Sequence, residues 1–129
     1  MNPEEMIWDA LRGGLVTRAL GLAADLRVAQ ALAAGPRSCE ELARERGVDA
    51  DALHRVLRAL ASDGIFEETE PGVFRNTAVS EVLTRDGWDD FAHLFGGAWL
   101  QAVAALDVSS EPSFPRVFGY STPSIPWSV

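Results

Sequence analysis

The chain has 129 residues, a formal net charge of −8 and one cysteine. That length is one domain with room for a core, and a single cysteine excludes an internal disulfide framework or a cysteine-rich zinc site. No apolar run reaches the ~18 residues of a membrane span, no basic stretch leads into an apolar run as in a signal peptide, and the expected compartment is the cytoplasm.

Asn2 and Pro3 open the first predicted helix. Asn2 can cap it, and Pro3 suits a position whose N–H is unpaired anyway. Glu4 and Glu5 lie in the first turn, where the helix dipole favours acids. Met6, Ile7, Ala10 and Leu11 make an apolar face, and Gly13-Gly14 are expected to end the helix. So short a helix is marginal alone and must pack, either on its own domain or on a second subunit.

Residues 15–34 carry the longest helical pattern. Leu15, Ala19, Leu22, Leu26, Ala29 and Ala33 form one stripe, widened by Leu20, Ala23, Val28, Ala31 and Leu32. A helix apolar around most of its circumference is buried on several sides. That points to a dimer interface, with the central core helix of a monomer as the alternative. Gly21 costs roughly 1 kcal/mol against alanine inside a helix, and the close approach of another helix is a reason to keep it. Gly35-Pro36 end the pattern.

The organising stretch is residues 38–77. Ser38 caps a helix over 39–46 with Glu41 three residues on, and Gly47 stops it. Asp49 caps a second helix over about 50–62, with Leu53, Val56, Leu57, Leu60 and Ala61 at helical spacing. After Gly64, Ile65-Phe66 and Val73-Phe74 flank Glu70-Pro71-Gly72 as strand, turn and strand. The fold class is therefore mainly α: a winged helix-turn-helix with a small β-hairpin wing and extra N- and C-terminal helices. DNA is a poor partner for it. The second helix of the motif offers His54, Arg55 and Arg58, but the wing carries Glu67, Glu68 and Glu70 against Arg75 alone. Phosphate neutralisation needs the opposite balance.

Asn76 or Thr77 caps a further helix over 78–84, and Asp86-Gly87 make a turn. Residues 88–107 read as a helix with Phe91, Leu94, Phe95, Ala98, Trp99, Ala102, Val103 and Leu106 on one broad face. Gly96-Gly97 predict a kink or a close contact. The cluster Phe91, Phe95 and Trp99 reads as core ahead of ligand pocket. From Ser109 on, Pro112, Pro115, Pro123 and Pro126 accompany Phe114, Val117, Phe118, Tyr120, Ile125 and Trp127. Such a tail either wraps the body or leads into a further domain. Catalytic signals are missing. There is no Gly-rich phosphate loop, and His54 and His93 stand isolated. Cys39, in a helix first turn that can lower a thiol pKa, has no base. Glu40-Glu41 and Asp89-Asp90 read as solvated charge. No metal site is expected.

One resemblance gathers these pieces. Leu22-Ala23-Ala24-Asp25-Leu26-Arg27-Val28, Gly35-Pro36-Arg37-Ser38, Glu41-Leu42-Ala43, Leu53-His54-Arg55-Val56-Leu57-Arg58-Ala59-Leu60, Gly64-Ile65-Phe66 and Asn76-Thr77 occur in the order found in one family. They resemble the N-terminal dimerisation domain of S-adenosylmethionine-dependent small-molecule O-methyltransferases, over about residues 10–119. The resemblance implies an intertwined homodimer, with Met6, Ile7, Leu11, Leu15, Leu22, Leu26 and Ala29 at its interface. It also implies a planar aromatic or polyketide-type substrate, against which Phe95, Trp99, Val103, Phe114 and Phe118 would form a wall. In that family the winged helix does not touch DNA. Residues 1–108 would be the dimerisation domain and 109–129 a Pro-rich tail, where the family leads into a Rossmann-like catalytic domain. The family's acidic-Gly-Gly-Gly cofactor loop and its histidine base do not occur within these 129 residues. No catalytic or S-adenosylmethionine-binding residue is therefore expected in this chain. Two other readings stand beside it: a stand-alone accessory, ligand-binding or non-methylating enzyme of a biosynthetic pathway, and a winged-helix regulator.

Overall fold

The computed structural model describes residues 1–108 and begins with one long helix, α1 (Pro3–Asp25). Asn2 Oδ1 accepts from the Glu5 N–H at 2.8 Å, as its position predicts. Gly13-Gly14 do not end the helix. Two glycines cost about 1 kcal/mol each against alanine, and strong helix formers on both sides carry the ladder through. The Thr17 hydroxyl donates to Gly13 O at 2.9 Å.

The predicted helix over 15–34 is instead split by Arg27, whose φ of 53° is left-handed. After it comes the four-residue α2 (Val28–Ala31). A left-handed non-glycine residue costs about 1–2 kcal/mol, so the turn needs outside support. Arg46 Nε donates to Leu26 O at 2.7 Å, and Arg27 pairs with Asp89 at 3.2 Å. Gln30 Nε2 reaches the same carboxylate at 2.8 Å.

Strand β1 (Arg37–Ser38) leads into α3 (Cys39–Arg46), then α4 (Ala50–Ala61). Ser38 Oγ accepts from Glu41 N–H at 3.1 Å and Asp49 Oδ2 from Ala52 N–H at 2.8 Å, so both caps form. The Glu41 carboxylate does not close a capping box; it pairs with Arg37 at 3.3 Å. Strands β2 (Phe66–Glu70) and β3 (Val73–Asn76) form the wing hairpin. The sheet is antiparallel in the order β1-β3-β2, so a third strand unmarked in the pattern covers the outer edge of β3. The predicted helix over 78–84 is a 3-10 turn (Ser80–Thr84). Thr77 Oγ1 holds its start by accepting from the Val79 and Ser80 N–H groups. Val28, Leu42, Leu57, Leu60, Phe66 and Phe74 fill the core between helices and sheet.

The last predicted helix breaks where two glycines fall, into α5 (Trp88–Gly96) and α6 (Ala98–Ala104). α1 and α5 cross backbone to backbone. A Cβ on Gly96 would lie 2.7 Å from Gly21 Cα and 2.8 Å from Thr17 O. The close approach expected at Gly21 is therefore real, and the helix that makes it belongs to the same chain.

Candidate functional site

Among the described residues two apolar surfaces are left without cover, and each grows from a local rule. The first runs along α1. Leu11, Leu15, Leu22 and Leu26 fall in line at helical spacing, with Met6, Ile7 and Trp8 at the N-terminal end. Met6, Ile7, Leu11 and Leu15 are 59, 63, 68 and 60 % exposed. Leu22 is half-buried, and Leu26 is half-buried against the core. The N-terminal half of α1 thus projects from the body, moored by an Arg12–Asp63 pair at 2.7 Å. Ala29 does not belong to this stripe. It is 1 % exposed in its own chain's core, and its carbonyl accepts from Asn76 Nδ2 at 2.9 Å. The turn at Arg27 redirects the chain, so the periodicity of α1 does not continue into α2.

The second surface is an aromatic shelf on α5 and α6. The first reading of Phe91, Phe95 and Trp99 as core is corrected: they are 56, 42 and 38 % exposed. α1 passes too close for rings, so Ala92 and Gly96 occupy the inner side of α5 and turn the aromatic side chains outward. Trp88 and Phe91 meet edge to face at 5.8 Å between centroids, and Phe95 and Trp99 at 5.1 Å. Val103 is half-buried beside them. Phe114 and Phe118 lie outside the described residues. Such pairs present flat apolar area suited to a planar ring.

Arg18, which periodicity alone gave no role, links the stripe to the C-terminus of α5. It lies on the α1 stripe between Leu15 and Leu22, and its Nη1 donates to Gly96 O at 2.8 Å. That carbonyl stands at the C-terminus of α5, where the ladder lacks a donor and positive charge is favoured.

Both histidines are paired with carboxylates. His93 Nδ1 lies 2.7 Å from Asp25 Oδ1 and His54 Nε2 lies 2.8 Å from Glu68 Oε2, so neither histidine is isolated. Glu68 turns inward from the wing. The Gly72 N–H, then His54, then Arg58 bring its carboxyl down to about 2. Arg55 pairs with Asp51 at 2.7 Å and Arg75 with Glu67 at 2.6 Å. Burial raises the Cys39 thiol pKa rather than lowering it, and its Sγ faces Ala50 O at 3.5 Å. Among the described residues no group of three His, Cys, Asp or Glu is placed to hold a metal ion. None of their helices is long and apolar enough to cross a membrane. The arrangement offers recognition surfaces, and among the described residues neither the stripe nor the shelf carries a nucleophile–base pair.

Known proteins with this architecture supply its context. Phenazine O-methyltransferase PhzM of Lysobacter antibioticus is 37% identical over 118 residues, covering 86% of this chain and 34% of that protein. The crystal structure of LaPhzM matches with a TM-score of 0.81 at 35% identity, over 95% of this chain and 39% of that one. NcsB1, an O-methyltransferase from neocarzinostatin biosynthesis, was solved with S-adenosyl-L-homocysteine and 1,4-dihydroxy-2-naphthoic acid. It matches with a TM-score of 0.73 at 32% identity, over 88% of this chain and 37% of that one. The chain spans about a third of the length of curated relatives such as these. The O-methyltransferase dimerisation domain matches residues 8–86, more than half of the chain, and the chain belongs to that family.

Proposed function

We propose that this chain is the homodimerisation unit of an S-adenosylmethionine-dependent O-methyltransferase acting on an aromatic natural product. The carrying observation is the exposed stripe of Met6, Ile7, Leu11 and Leu15 on a helix that projects from its own body. Contiguous apolar surface of this kind marks an interaction site, and a twofold mate is the commonest way to cover it. Residues 1–108 form the unit, and 109–129 lead towards the methyl-transferring part that relatives carry. The shelf of Phe95, Trp99 and Val103 forms one wall of the substrate site; Phe114 and Phe118, expected to join it, lie outside the described residues. The chain's own residues supply shape and apolar contact, while cofactor binding and proton removal fall to residues beyond this span. A cytoplasmic setting suits a single buried, unpaired cysteine.

Sedimentation equilibrium at tens of micromolar protein is the test. A dimer is expected, burying more than ~2,000 Å² in total. A single species at the 13.9 kDa monomer mass overturns the proposal. Titration with 1,4-dihydroxy-2-naphthoic acid should quench tryptophan emission from the shelf. An unchanged spectrum at millimolar ligand removes the substrate wall from it.

A further inference from the structure

Arg18 stands with its stem in the stripe and its head on the last carbonyl of α5, just before the break that leads into α6. Along α1 the residues Leu11, Leu15, Arg18, Leu22 and Leu26 follow one another at steps of three or four, so Arg18 lies within the apolar stripe. Its guanidinium leaves the stripe and donates to Gly96 O at 2.8 Å. Immediately beyond that carbonyl is Gly97, with φ −118° and ψ −108°, where α5 gives way to α6. Trp99 lies two residues further on and meets Phe95 across the break. Gly21 and Gly96, pressed backbone to backbone, fix α5 on α1. The break is therefore where α6 can tilt relative to α5, about the buried Ala102 that seats it.

Resting on the proposed function, we infer that Arg18 is a positioning residue that couples the dimer seam to the aromatic shelf. A second copy seated on the stripe pins the aliphatic stem of Arg18. The pinned stem holds the guanidinium on Gly96 O, and that bond sets the direction in which α6 presents Trp99. A shelf already aimed loses less freedom when a ring binds, so the dimer binds ring ligands more tightly than the protomer. Linkage makes the effect reciprocal: each ring ligand bound tightens the dimer by the same factor, so filling both sites tightens it by the square.

The test is a cycle on the 129-residue chain with 1,4-dihydroxy-2-naphthoic acid as probe and tryptophan quenching as readout. Leu11→Glu breaks the seam, and residue 11 is too far along the helix to pair with Arg18 itself. The wild-type dimer should bind the probe about tenfold more tightly than the Leu11→Glu protomer, within the usual range of coupling between sites. Arg18→Met keeps the stem and removes the donor, and should reduce that ratio to within about twofold. Arg18→Lys, which keeps a charged donor, should restore part of it. A wild-type ratio near one, or a ratio that a folded Arg18→Met leaves unchanged, overturns the coupling while the dimer and the shelf stand. A wild type that neither dimerises nor binds the probe overturns the proposed function and this inference with it. If Arg18→Met does not fold, amide hydrogen exchange over residues 97–101 decides. Exchange should be faster in Leu11→Glu than in the wild type, and equal rates overturn the inference.

Discussion

Gly96 carries no side chain because Gly21 Cα occupies the space one would need. A methyl there would sit 2.7 Å from that Cα and 2.8 Å from Thr17 O, and both are backbone atoms, which cannot swing aside. Gly96→Ala should therefore lower stability by roughly 1–3 kcal/mol, read as an earlier urea midpoint at unchanged slope. Gly13 is the contrasting case. Nothing lies within 4 Å of a Cβ built there, and it sits inside a helix. Gly13→Ala should raise stability by about 0.4–1 kcal/mol. Glu68 gives a prediction in pH. Its carboxyl lies at about 2 in the fold, against roughly 4.3 in an unfolded chain. Between those values the unfolded state binds more protons, so stability rises with pH there. The contribution is fully present above the unfolded value and is lost as pH falls towards 2. The stability difference between wild type and Glu68→Gln, from urea melts at pH 5 and pH 2.5, should shrink at the lower pH.

α1 carries most of what distinguishes this chain at the level of elements. Its outward stripe is not needed by the protomer's core, which Leu57, Leu60, Phe66 and Phe74 fill without it. Leu11 is 68 % exposed, and exposed substitutions usually change stability by less than ~0.5 kcal/mol. Leu11→Glu should keep the circular dichroism of a folded helix protein and sediment as a protomer, because a charge in a twofold seam meets its own copy. What the sequence made legible follows the range of the forces. Asn2, Ser38 and Asp49 cap their helices through a bond three residues away, so each start was readable from its own tetrapeptide. The boundary at Arg27 was not, since its left-handed turn is held by Arg46 and Asp89, distant in sequence. The shelf misled for a similar reason. Phe91, Phe95 and Trp99 form an apolar face, but which face turns inward was decided by how closely α1 could approach, through Ala92 and Gly96. The stripe was legible from spacing up to Leu26, and Ala29 was lost with the turn.

For the molecule as a whole, charge argues the partner. The net charge is −8, and the basic residues of α4 are already engaged. His54 and Arg58 meet Glu68, and Arg55 meets Asp51. A phosphate contact from His54, Arg55 or Arg58 would have to displace these pairs. Mobility-shift assays with random duplex DNA at low salt should show no complex. Salt-sensitive, sequence-selective retardation would instead support a regulator.

The α1–α5 crossing also bears on how the chain folds. Gly21 and Gly96 touch, yet the helix-turn-helix and the wing lie between them along the chain. Closing so long a loop is entropically expensive before intervening elements have condensed. The segment from β1 to β3 can order itself from nearer neighbours, so we expect the crossing to close after the rate-limiting barrier, with Gly96→Ala speeding unfolding and leaving the refolding rate unchanged in stopped-flow urea jumps. Contacts made on the native side of that barrier govern how fast the structure comes apart, not how fast it forms. Two bare glycines therefore act as the clasp of the fold: its lifetime, more than its assembly, depends on them.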